Sequence, residues 1–515
     1  MNDSGSYQTT PDEFQKLIRT HRIVPVVRRL FADSETPMGV YRKLGGGSVG
    51  SFLLESSSPG GMWTRFSFVG VNSYGLISAT DAGQVAWTDL GLSAEEAFGT
   101  EHVPESFVDA LQYLYRRWQT PRIPGLPSFT GGLVGYFGWE AVRLLEKLPN
   151  AKQADYEIPA MTFSLARDVV VIDHRFGTVS LVANVLVQPG SDPEQLWDDA
   201  RARLDQMQLK LSQPSPAYLA QVDFRAVEDP FRRTTPEEFR SAVEKAKEYI
   251  RAGDIFQVVI GQRFELDYDG EPLDVYRVLR TLNPSPYMYL LNLQDAEGTP
   301  FQIVGASPEA LVKVSGATVI THPIAGSRPR GATVERDAQI SEELLADTKE
   351  RAEHLMLVDL ARNDLLKVCE PGSVDVTEFM QIERFSHIMH IVSSVQGTLS
   401  EGFDSIDVFR ATFPAGTLSG APKPRAMEII DELEPSQRGL YGGVVGYFDF
   451  AGDSDLAIAI RTAVLREGRG YVQAGGGIVA DSVPQLELEE SQNKAAAALR
   501  AIAIAKTMIR IDGQD

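Results

Sequence analysis

Two pairs of glutamates carry the plainest chemical potential in this chain. Glu350 and Glu353, within DTKERAEHLMLVDLARNDLL, stand three residues apart, so both project from one face of a helix. Glu487 and Glu490 repeat that spacing within QLELEESQNKAAAALRAIAIAKTMI. Carboxylates on two rigid elements suit a hard cation such as Mg²⁺, which takes carboxylate oxygens plus waters and bridges to an anionic substrate. Either pair alone is also ordinary for a solvated helix face, and spacing does not separate the two readings. Context adds weight. HLMLVDLA, after Glu353, places apolar residues on most faces and predicts a buried helix. QAGGGIVADSVPQ predicts a glycine-rich turn entering a helix, where backbone amides can hold an anion. THPIAGSRPRG predicts a second such turn, with Arg328 and Arg330 beside it. Together these segments predict a dianionic substrate held at its carboxylates, with a metal against one of them.

The formal net charge of −21 argues against a nucleic-acid surface, which needs clustered Lys and Arg. It also means that a site for an anion must import positive charge, which a metal would provide. The single cysteine, Cys369 in LLKVCEPGS, rules out an internal disulfide and fits a reducing cytoplasm. It lacks the glycine-flanked setting of a nucleophile and reads as a structural thiol. The N-terminal MNDSGSYQTTPDEF has no apolar core of a signal peptide, and no run approaches the roughly 20 apolar residues of a membrane span. A cytoplasmic, membrane-free protein is expected.

These candidate groups need elements to hold them. Residues 1–12 read as a loose leader. SFLLESSSPGGMWTRFSFVG predicts two strands about a turn, and VPESFVDALQYLYRRWQT a helix. GGLVGYFGWEAVRLLEKL predicts a strand running into a helix. FSLARDVVVIDHRFGTVSLVANV predicts a hairpin, and a helix follows from about Pro193 to Leu211. SQPSPAYLAQVDFRAVEDP is the candidate junction between an N-terminal region, 13–225, and a second unit, 232–508. That unit opens on a helix with Thr235 as N-cap, Pro236 at the first position and Glu238 closing a capping box. Gly253 should end it, and FQVVIGQRF continues as a strand. GGLVGYF, from Gly131, and GGVVGYF, from Gly442, differ in one residue, a weak sign of related strand pairs in the two halves.

PIAGSRPRG, AEHLMLVDLARNDL, TLSGAPKPRAMEII, YGGVVGYF, IAIRTA and QAGGGIVADSVPQLELEE, in that order, resemble the chorismate-utilising enzymes, most closely component I of anthranilate synthase. LLES and GGLVGYFGWE extend the resemblance into the N-terminal half. The resemblance implies an α+β fold of large antiparallel sheets ringed by helices around a central cleft. It places metal ligands on Glu353 and Glu490, with Glu350 and Glu487 accessory or water-mediated. Carboxylate-binding positions fall on Gly326, Ser327, Tyr441, Arg461 and the amides of Gly475, Gly476 and Gly477. Arg461 can form a bidentate fork that lysine could not replace. The family usually has Thr at Ser327 and often Ala at Gly476; Ser retains the hydroxyl. His390 matches a histidine near the enolpyruvyl group, and Glu309 and Thr417 match active-site positions. Read from the residues alone, a lone histidine on an apolar strand is more often a satisfied core residue.

Two positions separate the reactions that relatives perform on one ring. Water-adding relatives resemble EKVVL, whose lysine serves as a base, where this chain has FQVVI and Gln257. Aminodeoxychorismate synthase usually has PIKGT, whose lysine is a nucleophile, where this chain has Ala325. Neither lysine is present, which leaves ammonia attack followed by pyruvate elimination, with Gln257 positioning the ammonia. Some aminodeoxychorismate synthases also lack the lysine, so component I of that enzyme stays an alternative, as does a non-catalytic tryptophan-sensing scaffold. The ammonia would come from a separate glutamine amidotransferase subunit, making a hetero-oligomer. Ser56, Pro286, Tyr287 and Met288 match the family's site for inhibition by tryptophan. The expected reaction is thus Mg²⁺-dependent conversion of chorismate to anthranilate, under feedback control.

Overall fold

The computed structural model describes residues 8–56, 65–79, 84–100, 103–214, 218–384 and 388–511. Most of the leader and His387 lie outside them.

Local signals in the sequence set several element ends. The helix Pro236–Ala252 begins where Thr235 accepts from the Glu238 amide and the Glu238 carboxylate accepts in return from Thr235 N at 2.8 Å. It ends at Gly253, whose φ of 85° is the left-handed conformation that glycine adopts without a Cβ penalty. Met161–Asp173 and Thr178–Leu186 form the expected hairpin, paired from Asp173 opposite Thr178. The helices Phe107–Trp118 and Pro193–Ser212 also follow their apolar spacing. After the strand Gly132–Phe137, however, Trp139–Leu144 is a 3₁₀ helix rather than an α-helix.

The fold is α+β, a large antiparallel sheet framework with helices packed on it. Strands from both sides of the 212–230 junction pair with one another. Phe52–Glu55 joins Tyr287–Gln294, and Gly132–Phe137 joins Val444–Asp449. The second of these pairs is the GGLVGYF and GGVVGYF echo: the two repeats lie side by side, with Gly135 opposite Gly446. Both strands are buried at every position, so they read as unbroken apolar runs rather than alternating ones. A Cβ at Gly135 would overlap the Thr162 carbonyl oxygen, and one at Gly446 the Asp455 carbonyl oxygen, which explains glycine at both.

Two helices bring chemistry to this framework. Thr348–Leu365 lies on the strands Ile324–Pro329 and Ile388–Thr398. Pro484–Ala505 lies on Gln257–Asp267 and Arg469–Ile478.

Candidate active site

The glycine run is strand, not turn. Gly475, Gly476 and Gly477 sit in Arg469–Ile478 and pair with Gly261, Ile260 and Val259 of Gln257–Asp267. Clustered glycines suggest a turn because glycine is rare inside strands; here a Cβ at each would meet a close neighbour. A Cβ at Gly475 would strike the Ile260 carbonyl, and one at Gly477 the Gln257 side chain. At Gly476 a Cβ would lie 3.0 Å from Glu487 Oε2 and 3.5 Å from Glu490 Oε1. The second predicted turn is likewise part of a strand, Ile324–Pro329, with a register shift between Ala325 and Ser327. Gly326 occupies that shift at φ 73°, and a Cβ there would lie 3.1 Å from Glu350 Oε2. Each glutamate pair therefore faces a glycine across which the backbone can be approached.

The helix carrying Glu350 and Glu353 is buried along one side rather than all round. His354, Leu357, Val358, Asp364 and Leu365 are buried, while Leu355 in the same apolar run is 47% exposed. Glu350 lies in line with the buried stripe and Glu353 at its edge, near its N-terminal end, and their partners differ. Glu353 accepts from Gln257 Nε2 at 3.2 Å. Burial, then repulsion from Glu350 and Glu490, holds its carboxyl above the usual range. Gln257 Oε1 is buried without a hydrogen-bond partner among the described residues. Glu350 is met by Arg328 Nη1 at 2.8 Å, and Arg328 Nη2 reaches Asp347 at 2.9 Å. Glu487 is raised, chiefly by burial, against a hydrogen bond from Ser482. Glu490 is bound by Lys494 Nζ at 2.6 Å, and the same ammonium donates to the Gly475 carbonyl at 3.2 Å. The i, i+4 spacing of Lys494 from Glu490 is the one signal in the sequence for its place here.

As they stand, no three His, Cys, Asp or Glu side chains among the described residues converge closely enough to hold a metal. In kind the donors fit Mg²⁺: all are hard oxygens, and the repulsion that adds to burial in raising Glu353 is what a divalent cation would relieve.

His390 stands opposite Ser327 in the antiparallel register, and its Nδ1 lies 2.9 Å from Ser327 Oγ and 3.3 Å from the Gly326 oxygen. Burial, with the positive charges of Arg461 and Lys494, pushes the imidazole down to about 4, so it is neutral at physiological pH. Glu309 moves the other way. Burial raises its carboxyl to about 7, and Thr417 Oγ1 donates to it at 3.1 Å. Arg461 is a non-glycine residue at φ 54°, a conformation that persists only where the surroundings enforce it. Burial lowers its pKa, with Tyr441, Glu490 and Glu309 opposing that shift. Tyr441 is buried and its phenol is pushed up to about 12. These interactions bring Arg461, Tyr441, Glu309, His390 and Lys494 into one electrostatic neighbourhood with Glu490.

A separate cavity of about 240 Å³ is lined by Ser56, Pro286, Tyr287 and Met288, together with Phe66 and Tyr447. Met288 pairs with Glu55, so the LLES and PSPYM segments meet as neighbouring strands. Ser56 Oγ is buried without a hydrogen-bond partner among the described residues. Tyr287 donates to Asp455 at 3.0 Å, and Glu55 accepts from Tyr276 at 2.5 Å and Arg280 at 3.2 Å.

Residues 66–500 match the family described as chorismate binding enzyme. The chain is 52% identical over 518 residues to anthranilate synthase component 1 of Arthrobacter globiformis, covering 99% of this chain and 96% of that protein. It is similar to the crystal structure of anthranilate synthase component I from Streptococcus pneumoniae at 34% identity, with a TM-score of 0.71 over 91% of this chain and 98% of that one. The menaquinone-specific isochorismate synthase of Escherichia coli shares the fold, with a TM-score of 0.67 at 17% identity over 95% of this chain and 98% of that one. From the framework, the glycine-backed glutamate pairs and these similarities together, the chain belongs to the chorismate binding enzymes and, within them, to the family of anthranilate synthase component 1.

Proposed function

We propose that this chain converts chorismate and ammonia to anthranilate and pyruvate. The observation that carries the choice of reaction is Gln257. Its amide, fixed on Glu353 with a free buried oxygen, stands where a water-adding relative would need a base. An amide accepts no proton at neutral pH, but its oxygen can accept a hydrogen bond from ammonia, which is a nucleophile without further activation.

Arg461, Tyr441, Ser327 and the amides beside Gly326 and Gly475–Gly477 hold the substrate's carboxylates. Mg²⁺ held by Glu353 and Glu490, with Glu350 and Glu487 through water, would supply positive charge to one of those carboxylates. As a carbon–nitrogen bond forms on the ring, the ring hydroxyl departs. Glu309, half-protonated near neutral pH, can give it a proton so that it leaves as water. Neutral His390 can then take the ring proton while the enolpyruvyl oxygen–ring bond breaks, and return it to the methylene carbon of the departing group, giving pyruvate.

Ammonia from glutamine would need a second subunit. Cys369, the only cysteine, is buried and its thiol is pushed up to about 11, unsuited to amidotransferase chemistry. The Ser56 cavity would take tryptophan as a feedback inhibitor. No helix among the described residues is long and apolar enough to cross a membrane.

Purified chain with chorismate, Mg²⁺ and ammonium should generate anthranilate fluorescence, EDTA should abolish it, and glutamine should not replace ammonium. Accumulation of aminodeoxychorismate would favour the related synthase. No turnover with ammonium would favour a tryptophan-sensing scaffold. Glutamine use by the pure chain would contradict the separate amidotransferase.

A further inference from the structure

The ammonium of Lys494 sits on the carboxylate that a metal would need. Lys494 Nζ is 2.6 Å from Glu490 Oε1 and is tied to the strand below by its 3.2 Å hydrogen bond to the Gly475 carbonyl. Its charge also acts on Glu309 and His390. Arg328 engages Glu350 in the same way. Glu353 and Glu487 have no such ion pair among the described residues.

We propose that Lys494 is a placeholder cation: it neutralises Glu490 in the metal-free chain, and a divalent ion binds by displacing it. The proposal rests on reading Glu353 and Glu490 as metal ligands. Its physical content is competition. A divalent ion gains Glu490 only by breaking a direct charge-assisted contact, so the chain's own lysine weakens apparent metal affinity. In return, the lysine offsets part of the carboxylate repulsion between the two helices in the substrate-free site.

Removing any positive charge near carboxylates favours cation binding to some degree, so a control is needed. Lys349 supplies it: its charge acts on Glu353 and Glu487, and no ion pair joins it to Glu490. Mn²⁺ binding to substrate-free protein, followed by electron paramagnetic resonance, reads affinity without turnover. Lys494→Gln should bind Mn²⁺ about tenfold more tightly than wild type, the equivalent of one lost close ion pair. Lys349→Gln should change it by no more than about twofold, as expected for a screened, non-contacting charge. In a Glu490→Gln background the Lys494→Gln gain should vanish. Lys494→Met, which keeps the aliphatic stem, is the second variant should Lys494→Gln melt early. Unchanged or weaker Mn²⁺ affinity in Lys494→Gln and Lys494→Met, or an equal gain in Lys349→Gln, overturns the placeholder while leaving the metal reading intact. No Mn²⁺ bound by any form overturns both.

Discussion

Glu309 and His390 are two titrating groups pushed in opposite directions by one cause. Burial raises the acid to about 7 and lowers the base to about 4, leaving a proton donor and a proton acceptor available together at neutral pH. Glu309→Gln should therefore lower turnover by about 10²–10⁴-fold, the usual loss for a general acid. The same variant should alter stability with a definite sign. The folded pKa of Glu309 lies above its ordinary value of 4.5, so its stabilising contribution is present below that value and is lost as pH rises through about 7. Glu309→Gln should be more stable than wild type above pH 7, with the difference fading toward pH 5, as read by denaturant titrations across that range. A dead variant that is equally stable at every pH would contradict a buried, raised carboxyl. Neither shift is visible in the sequence. Glu309 and Thr417 entered on motif alone, since the burial that tunes them comes from contacts distant along the chain, such as the 3.1 Å bond between these two.

At the scale of elements, the decisive feature is the strand pair Gln257–Asp267 and Arg469–Ile478, which places three consecutive glycines beneath a carboxylate helix. Gly475→Ala should destabilise by about 2 kcal/mol, because its Cβ meets backbone that cannot yield. Gly476→Ala should stay within about 1 kcal/mol of wild type: its Cβ meets the far end of Glu487, which can rotate. Chemical denaturation of the two variants separates the cases, and equal effects would contradict this geometry. The capping box at Thr235 and the hairpin at 173–178 were legible because their determinants lie within a few residues of one another. The glycine strands were not, since what forbids side chains there is a neighbouring strand over two hundred residues away. Similarly, the apolar run after Glu353 overstated burial, because Leu355 faces outward from a helix packed on one side only.

For the whole molecule, one strand joins the two sites. Asp455, which accepts from Tyr287 at the Ser56 cavity, lies on Ser454–Ile458, and the Ile458 amide donates to the Glu309 carbonyl at 2.9 Å. An effector that moves Tyr287 thus acts on a strand holding the proposed acid. Ser56→Ala should weaken tryptophan inhibition by roughly fivefold, the loss of one neutral hydrogen bond, with uninhibited activity retained. By linkage, chorismate should weaken tryptophan binding as much as tryptophan weakens chorismate binding. Tryptophan titrations of both proteins at fixed chorismate check this, and inhibition lost together with activity would contradict a dedicated effector cavity. The family was legible from ordered motifs, whereas the side-by-side pairing of the two GYF repeats, from opposite halves of the chain, needed the fold. The most direct test of the reaction assigned to this molecule uses ¹⁵N-ammonium with chorismate and Mg²⁺, and mass analysis of the products. Anthranilate carrying the label is expected, with one equivalent of pyruvate released for each. Isochorismate, or a labelled product that keeps its enolpyruvyl group, would contradict it.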